Sequence, residues 1–376
     1  MSYSWDTFNR AALQQIDYES RETLMARGMC KRLVNDQTNP DRLELLPHTL
    51  LPSHFPLKQY RMAEKLQVSL NLVYHRVAHD HTFLCEALKD TLKVDPFTGR
   101  LFKVYEQVRR EGCAQPLSLG LMRADYMLDE RLQSLRQIEV NTIAASFGGL
   151  TPLLARQHRE NLRKIGWTDH QLNQMLPNPK SIEVLAQAMV EAWEAYGEQK
   201  AVILFVVEMS TGNICDQKQL ELRLADLRPE LRVIRRTFIQ LREQIELDKQ
   251  SRMLLTRPST FQGQSEGQDE VALVYLRNGY TPNQYKEADW SLRVSIERSK
   301  AIKCPSIHYQ LAGVKKVQQV LTNRDQLRRF CEDDKTCDEL MSTFAEILPL
   351  GHNSTGDAAY EKALKEYQRY VLKPQR

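Results

Sequence analysis

Two uninterrupted apolar runs, Val202-Ile-Leu-Phe-Val-Val207 and Val271-Ala-Leu-Val-Tyr-Leu276, constrain this chain more than any other feature. A strand without a polar face must be covered on both sides, as in a buried parallel sheet. Helical spacing follows the first run, with Leu220, Leu224 and Leu227 in register from Gln217 to Leu227. Leu231-Arg-Val-Ile234 reads as a further strand. Strand–helix–strand alternation predicts a parallel sheet with right-handed crossovers. Ligands bind beyond the carboxyl ends of such strands, which brings Asn213, Gln217, Arg277 and Tyr280 to one rim. The polar segment Phe261–Asp269 reads as an exposed loop. No Gly-X-Gly-X-X-Gly occurs, so a dinucleotide cofactor is not expected.

The 376 residues suffice for two or three domains. A net charge of +4 is too small to argue for nucleic acid. No apolar run approaches the ~20 residues that span a bilayer, and the first residues lack the pattern of a signal peptide. The seven cysteines are scattered without a Cys-X-X-Cys pair, which suits free thiols in a reducing cytoplasm. The first hundred residues read as helical, with Met62, Leu66, Leu70, Val73 and Val77 recurring from Gln59 onward. A loop is expected at Asn35–Pro40. His75 and His79 share a helix face, but no third ligand accompanies them, and they read as surface histidines. Pro116–Leu121 suits a buried strand, and Ser181 an N-cap of a helix that Gly197 closes.

The stretch Gln137–Leu150 carries the most chemistry. Ile138, Val140 and Thr142 fall on one strand face, Glu139 and Asn141 on the other. A carboxylate and an amide carbonyl so placed are hard oxygen ligands suited to Mg²⁺, which fills its other positions with water and phosphate. Ser146, Gly148 and Gly149 form a turn whose amides can meet a carboxylate or phosphate. An edge strand with a solvated polar face and an ordinary Gly-Gly turn is the alternative. Arg123, at a strand end, can clamp a carboxylate or pair with Asp125 or Asp129. Lys373 ends an expected strand, Tyr370–Lys373, and by itself reads as a surface lysine.

The wording of the stretch resembles the Ile-Glu-X-Asn-Thr-Ile-Ser-X-Ser-Phe segment of eukaryotic glutathione synthetase, an ATP-grasp ligase. Five more matching pieces occur along the chain: Leu119–Tyr126, Asn213–Gln217, Arg277–Tyr280, Gln310–Gln319 and Val371–Arg376. The resemblance implies an α/β fold with an α+β scaffold: an ATP-grasp-type ligase with an inserted parallel α/β substrate-binding domain. Residues 1–200 would form the helix-rich amino-terminal scaffold, 201–300 the inserted domain, and 301–376 the start of the carboxyl-terminal ATP-grasp part.

It also implies ATP- and Mg²⁺-dependent ligation of γ-glutamylcysteine to glycine through an acyl phosphate, in a cytoplasmic homodimer without nucleic-acid or membrane partners. Glu139 and Asn141 would hold Mg²⁺, and Glu139, Lys315 and Lys373 the ATP. Arg123, Ile143, Ala144, Ala145, Ser146, Asn213, Gln217, Arg277, Asn278, Gly279 and Tyr280 would hold the dipeptide, with Arg123 and Lys373 catalytic. Two departures stand out. Ala144 replaces the family's usual serine, and the chain stops at Arg376, ahead of the family's third metal ligand, its phosphate-covering loop and much of its glycine site. A truncated, incomplete ATP-grasp domain with little turnover is therefore expected, and a non-catalytic protein that binds dipeptide or a full-length partner is the alternative.

Overall fold

The computed structural model describes residues 9–33, 39, 41–129, 131–257, 267–351 and 353–373. The loops expected at 35–40 and 261–269 fall largely outside these residues, as do Pro374–Arg376. In chain order the strands are β1 (Cys30–Arg32), β2 (Leu43–Leu45), β3 (Arg123–Asp129), β4 (Ser134–Asn141), β5 (Val202–Val206), β6 (Val233–Arg236), β7 (Ile245–Leu247), β8 (Leu254–Thr256), β9 (Asp269–Leu276) and β10 (Ile302–Cys304). The chain divides into two compact units. One comprises Met1–Leu57, Ala145–Asn278 and Lys300–Ile302; the other comprises Lys58–Ala144, Gly279–Ser299 and Lys303–Arg376.

The first unit is built on strands in the order β6-β5-β9-β8-β7. The two apolar runs become its centre: β5 lies parallel to both β6 and β9, with Leu204 opposite Ile234 and Val274. Every residue of β5 is 0% exposed. Each such side chain contributes on the order of 1.5–3 kcal/mol by leaving water, so this strand anchors the unit. The sheet is not parallel throughout, as the sequence had suggested. β7 and β8 add an antiparallel edge to β9. Their connection, 248–253, is too short for the crossover that a parallel pair requires. Asp248 closes it by accepting N–H bonds from Gln250 and Ser251 at 3.1 and 2.6 Å.

The helix Ser181–Tyr196 lies against the helix Ile214–Leu227 and against β9. Gly197 ends the former at φ 89°, a left-handed value that glycine adopts without cost. Ser181 is that helix's first residue rather than its cap. Its hydroxyl is drawn instead to the Gly148 carbonyl, 2.7 Å away.

The second unit is helix-rich around the antiparallel ribbon β3–β4. Its long helix Leu57–His79 buries Leu66, Leu70, Val73 and Val77, the residues whose spacing announced it. Asp80 caps the next helix, His81–Leu88, by accepting the Phe83 N–H at 2.8 Å. Asp95 caps the helix Pro96–Glu111, whose proline sits in the first turn where its missing N–H costs nothing.

Two expected strands are absent from this unit. In Pro116–Leu121 only Ser118 makes a bridge, to Lys303, while Leu117 is 47% exposed. Tyr370–Lys373 is irregular and follows the 3₁₀ turn Tyr367–Arg369, with Val371 83% and Leu372 80% exposed. An apolar segment becomes a strand only when a neighbour accepts its ladder, and the single Ser118–Lys303 bridge is too little to make one.

Candidate active site

In the second unit, β3 and β4 bring four polar side chains onto one face. Arg123 is opposite Asn141 and Asp125 is opposite Glu139. Beyond that pair the register slips, Tyr126 facing Gln137, so Ile138 is an extra residue on β4. Such a bulge re-phases the strand. Leu135 and Gln137 are buried before it, Val140 and Thr142 after it, and Glu139 and Asn141 face the other way.

Arg123 grips the Asp125 carboxylate in a fork, Nε donating at 2.7 Å and one terminal nitrogen at 3.0 Å. Asn141 Nδ2 donates to the same carboxylate at 3.1 Å, so its carbonyl oxygen is not spent there. Lys373 Nζ lies 3.4 Å from Glu139 Oε2, bringing together two residues 234 positions apart in sequence. Asp125 was read in the sequence only as a counter-ion of Arg123. The structure makes it the hub of the face.

Lys315 opens the helix Lys315–Leu321. That helix is tied to β4 by Gln318 Nε2, which donates to the Val140 carbonyl at 3.0 Å. Gly313, just before it, packs so closely on Thr142 that a Cβ there would lie 2.1 Å from Thr142 Oγ1. Ile143 and Ala144 continue from β4, and Ala144 holds φ 51°. A left-handed conformation in a non-glycine residue is uncommon, and it turns the chain sharply here.

In the first unit, the turn beginning at Ala145 is organised by Asp216 on the first turn of helix Ile214–Leu227. Its carboxylate accepts the N–H groups of Phe147 and Gly149 at 2.9 Å and of Leu150 at 3.3 Å. Asn213 Nδ2 adds a fourth donor at 3.4 Å. The anion expected at the glycine turn is thus the protein's own. Arg277, after β9, donates to the Ala145 carbonyl at 2.5 Å and to Ser146 Oγ at 2.9 Å, and stands 4.0 Å from Asp216. Gln217 is 4% exposed, with Arg235 donating to its carbonyl at 2.6 Å and its amide reaching Thr211 at 3.4 Å. Ala145, Ser146, Asn213, Gln217, Arg277 and the 6%-exposed Asn278 therefore fall in one unit, around β5 and β9.

Gly279 and Tyr280 belong to the second unit. Gln284 draws the N–H groups of Gly279, Tyr280 and Thr281 onto its side-chain carbonyl at 3.0, 2.9 and 3.2 Å. Gln310 Nε2 donates to the Gly279 carbonyl at 2.8 Å. Gly279 takes φ 93°, which this fold-back requires, and Tyr280 remains 43% exposed at its tip. His75 and His79 lie elsewhere in the unit, hydrogen-bonded to the Tyr309 hydroxyl and to the His75 carbonyl at 2.6 and 2.8 Å.

A family model of the eukaryotic glutathione synthase ATP-binding domain matches residues 10–376. Glutathione synthetase of Homo sapiens is 36% identical over 382 residues, covering 100% of this chain and 77% of that protein. That of Rattus norvegicus is 35% identical with the same coverage. The chloroplastic glutathione synthetase of Arabidopsis thaliana is 34% identical over 331 residues, 88% of this chain and 58% of the relative. In fold, the chain matches a glutathione synthetase-like effector of Globodera pallida with a TM-score of 0.72 at 23% identity, covering 90% and 71% of the two chains. Together these define an α/β ligase of the ATP-grasp type. The chain belongs to the eukaryotic glutathione synthetase family and is an ATP-dependent ligase. No helix among the described residues is long and apolar enough to cross a membrane.

Proposed function

We propose that this ligase joins γ-glutamylcysteine to glycine with ATP and Mg²⁺, and that the β3–β4 face carries the phosphoryl-transfer half of the reaction. The observation behind this reading is the cluster of Asp125, Glu139 and Asn141 on one face, with Lys373 at 3.4 Å from Glu139. The donor set suits Mg²⁺: the Glu139 carboxylate and the Asn141 carbonyl are hard oxygens, and Asp125 keeps the Asn141 amide nitrogen turned to itself. Bound by Glu139 and Asn141, Mg²⁺ would neutralise negative charge on phosphate oxygens.

The protein's own groups do the rest. Lys315 and Lys373 meet the ATP phosphates. Arg123, its guanidinium fixed by Asp125, holds positive charge where the dipeptide carboxylate attacks. That oxygen forms a bond to the γ-phosphorus as the bond to ADP breaks, giving an acyl phosphate. The glycine amine, having lost one proton to solvent, then attacks the acyl carbon; inorganic phosphate leaves and nitrogen gives up a second proton to solvent as the amide forms. Ile143, Ala144, Ala145, Ser146, Asn213, Gln217, Arg277, Asn278, Gly279 and Tyr280 orient the dipeptide. At position 144 the backbone amide stands in for the hydroxyl the alanine lacks.

The test is ADP release and glutathione formation with γ-glutamylcysteine, glycine and Mg²⁺. Glu139→Gln, which keeps shape and removes charge, should lower kcat by roughly 10²–10³-fold, the usual cost of one preorganised electrostatic group. Its melting temperature should match the parent's. Equal turnover in parent and variant would remove Glu139 from the metal and nucleotide site.

A further inference from the structure

Away from the β3–β4 face, the second unit holds a cluster that the ligase reaction does not use. His81 and Cys85 lie four residues apart on the helix His81–Leu88, so their side chains share one face. Glu106 reaches them from the helix Pro96–Glu111. One ligand atom from each of the three lies within 4.8 Å of the other two. His81 Nδ1 is 3.4 Å from Glu106 Oε1 and 3.7 Å from Cys85 Sγ.

Tetrahedral zinc has bonds of about 2.3 Å to sulfur, 2.0–2.1 Å to nitrogen and 2.0–2.2 Å to oxygen, which puts neighbouring ligands about 3.3–3.6 Å apart. The His81–Glu106 and His81–Cys85 separations are already close to this spacing, and the third lies within 4.8 Å. Glu106 Oε1 is buried yet makes no hydrogen bond among the described residues. Both supporting helices are fixed at their starts, by Asp80 and by Asp95. The Tyr105 hydroxyl, 3.1 Å from His81 Nδ1, must turn aside for that nitrogen to bind a metal.

We propose that His81, Cys85 and Glu106 form a binding site for a borderline divalent cation of the zinc type, with its fourth position open to water. A thiolate, an imidazole and a carboxylate together select zinc or cobalt, while Mg²⁺ prefers oxygen ligands throughout. The site is therefore separate in chemistry from Glu139 and Asn141.

The experiment uses the full 376-residue chain, stripped with a chelator and titrated with Co²⁺, then with Zn²⁺ in competition. The parent should bind one Co²⁺ per chain and develop a thiolate-to-cobalt charge-transfer band in the near ultraviolet. Cys85→Ser should lose the band. Glu106→Gln should keep the band but bind at least about tenfold more weakly, the scale seen even for groups outside the ligand shell. Circular dichroism of the metal-free variants checks that both remain folded. A parent with no thiolate band overturns the site. So does a Cys85→Ser chain that keeps band and affinity, since another of the cysteines would then be the ligand. Unchanged affinity in Glu106→Gln removes the carboxylate and with it the three-ligand site.

Discussion

Asp216 shows how one residue can decide what a loop is for. Three backbone N–H groups and an Asn213 amide converge on its carboxylate, which is 6% exposed. The glycine turn is therefore shaped before any substrate arrives. Asp216→Asn keeps the volume but replaces one acceptor oxygen with a donor, so an amide N–H at Phe147 or Gly149 faces another N–H. Leaving a buried donor unsatisfied costs about 1–3 kcal/mol, and urea denaturation should show a loss of that size. A loss below about 0.5 kcal/mol, the range of ordinary surface changes, would mean the carboxylate does not hold the turn. Asn213, Gln217 and Arg277 were legible in the sequence because they stand just past apolar strands. Asp216 was not, although it lies between Asn213 and Gln217. Nothing in a linear sequence says that a carboxylate in a helix's first turn will reach back some 70 residues to accept from a loop.

At the scale of elements, the buried strands β5 and β9 and the long helices were legible because their periodicity follows from burial alone. β7 and β8, three residues each, leave no period to read. The bulge at Ile138 was hidden for a different reason: it depends on the partner strand's register, which only pairing fixes. Glu139 and Asn141 were placed on one face from the two-residue spacing, and Lys373 was named beside Glu139 through the family resemblance, whereas the central place of Asp125 came from folding.

The packing of the Lys315 helix against β4 rests on Gly313. A methyl group there would meet Thr142 Oγ1 at 2.1 Å and Thr142 Cβ at 3.0 Å. Thr142 is 3% exposed and has little room to turn. Gly313→Ala should thus destabilise by about 1–3 kcal/mol, as overpacking does. Thr142→Ala removes Oγ1 and Cγ2 and leaves only Cβ, at 3.0 Å, so the double variant should be more stable than the sum of the single changes. The double-mutant cycle should give a favourable coupling of roughly 1 kcal/mol. Strict additivity would mean that Gly313 is needed for its backbone and not for the fit.

Across the whole molecule, each unit carries a histidine whose burial opposes charge. His158, 8% exposed in the first unit, is held below its ordinary pKa by burial, aided by the His48 charge and partly offset by its bond to the Thr49 carbonyl at 2.8 Å. His308 in the second unit is lowered first by burial, with His79 and Lys303 adding to the effect and Glu297 opposing it. It stacks on His79 at 5.8 Å, meets the edge of Tyr105 at 5.2 Å, and its Nδ1 has no hydrogen-bond partner among the described residues.

The sign follows from proton counting. In the unfolded chain both rings take up protons near pH 6.5, while in the folded protein they resist until the pH is lower. The unfolded state then binds more protons, so stability is complete above the unfolded value and is lost as pH falls through the folded value. Within that window each histidine contributes a slope of up to about 1.4 kcal/mol per pH unit. Carboxylates act lower. Burial raises Glu160, but its bonds to Arg27 and Arg156 outweigh that and hold it below the usual range, so its contribution fades only below about pH 4.5. Urea denaturation between about pH 7.5 and pH 5 should therefore show stability falling with acid before the carboxylates titrate. His158→Gln and His308→Gln should each flatten the slope. The double variant should flatten it by the sum of the two, because the groups that shift the two rings are not shared. A parent whose stability is level across that range would show that neither ring is kept neutral by the fold.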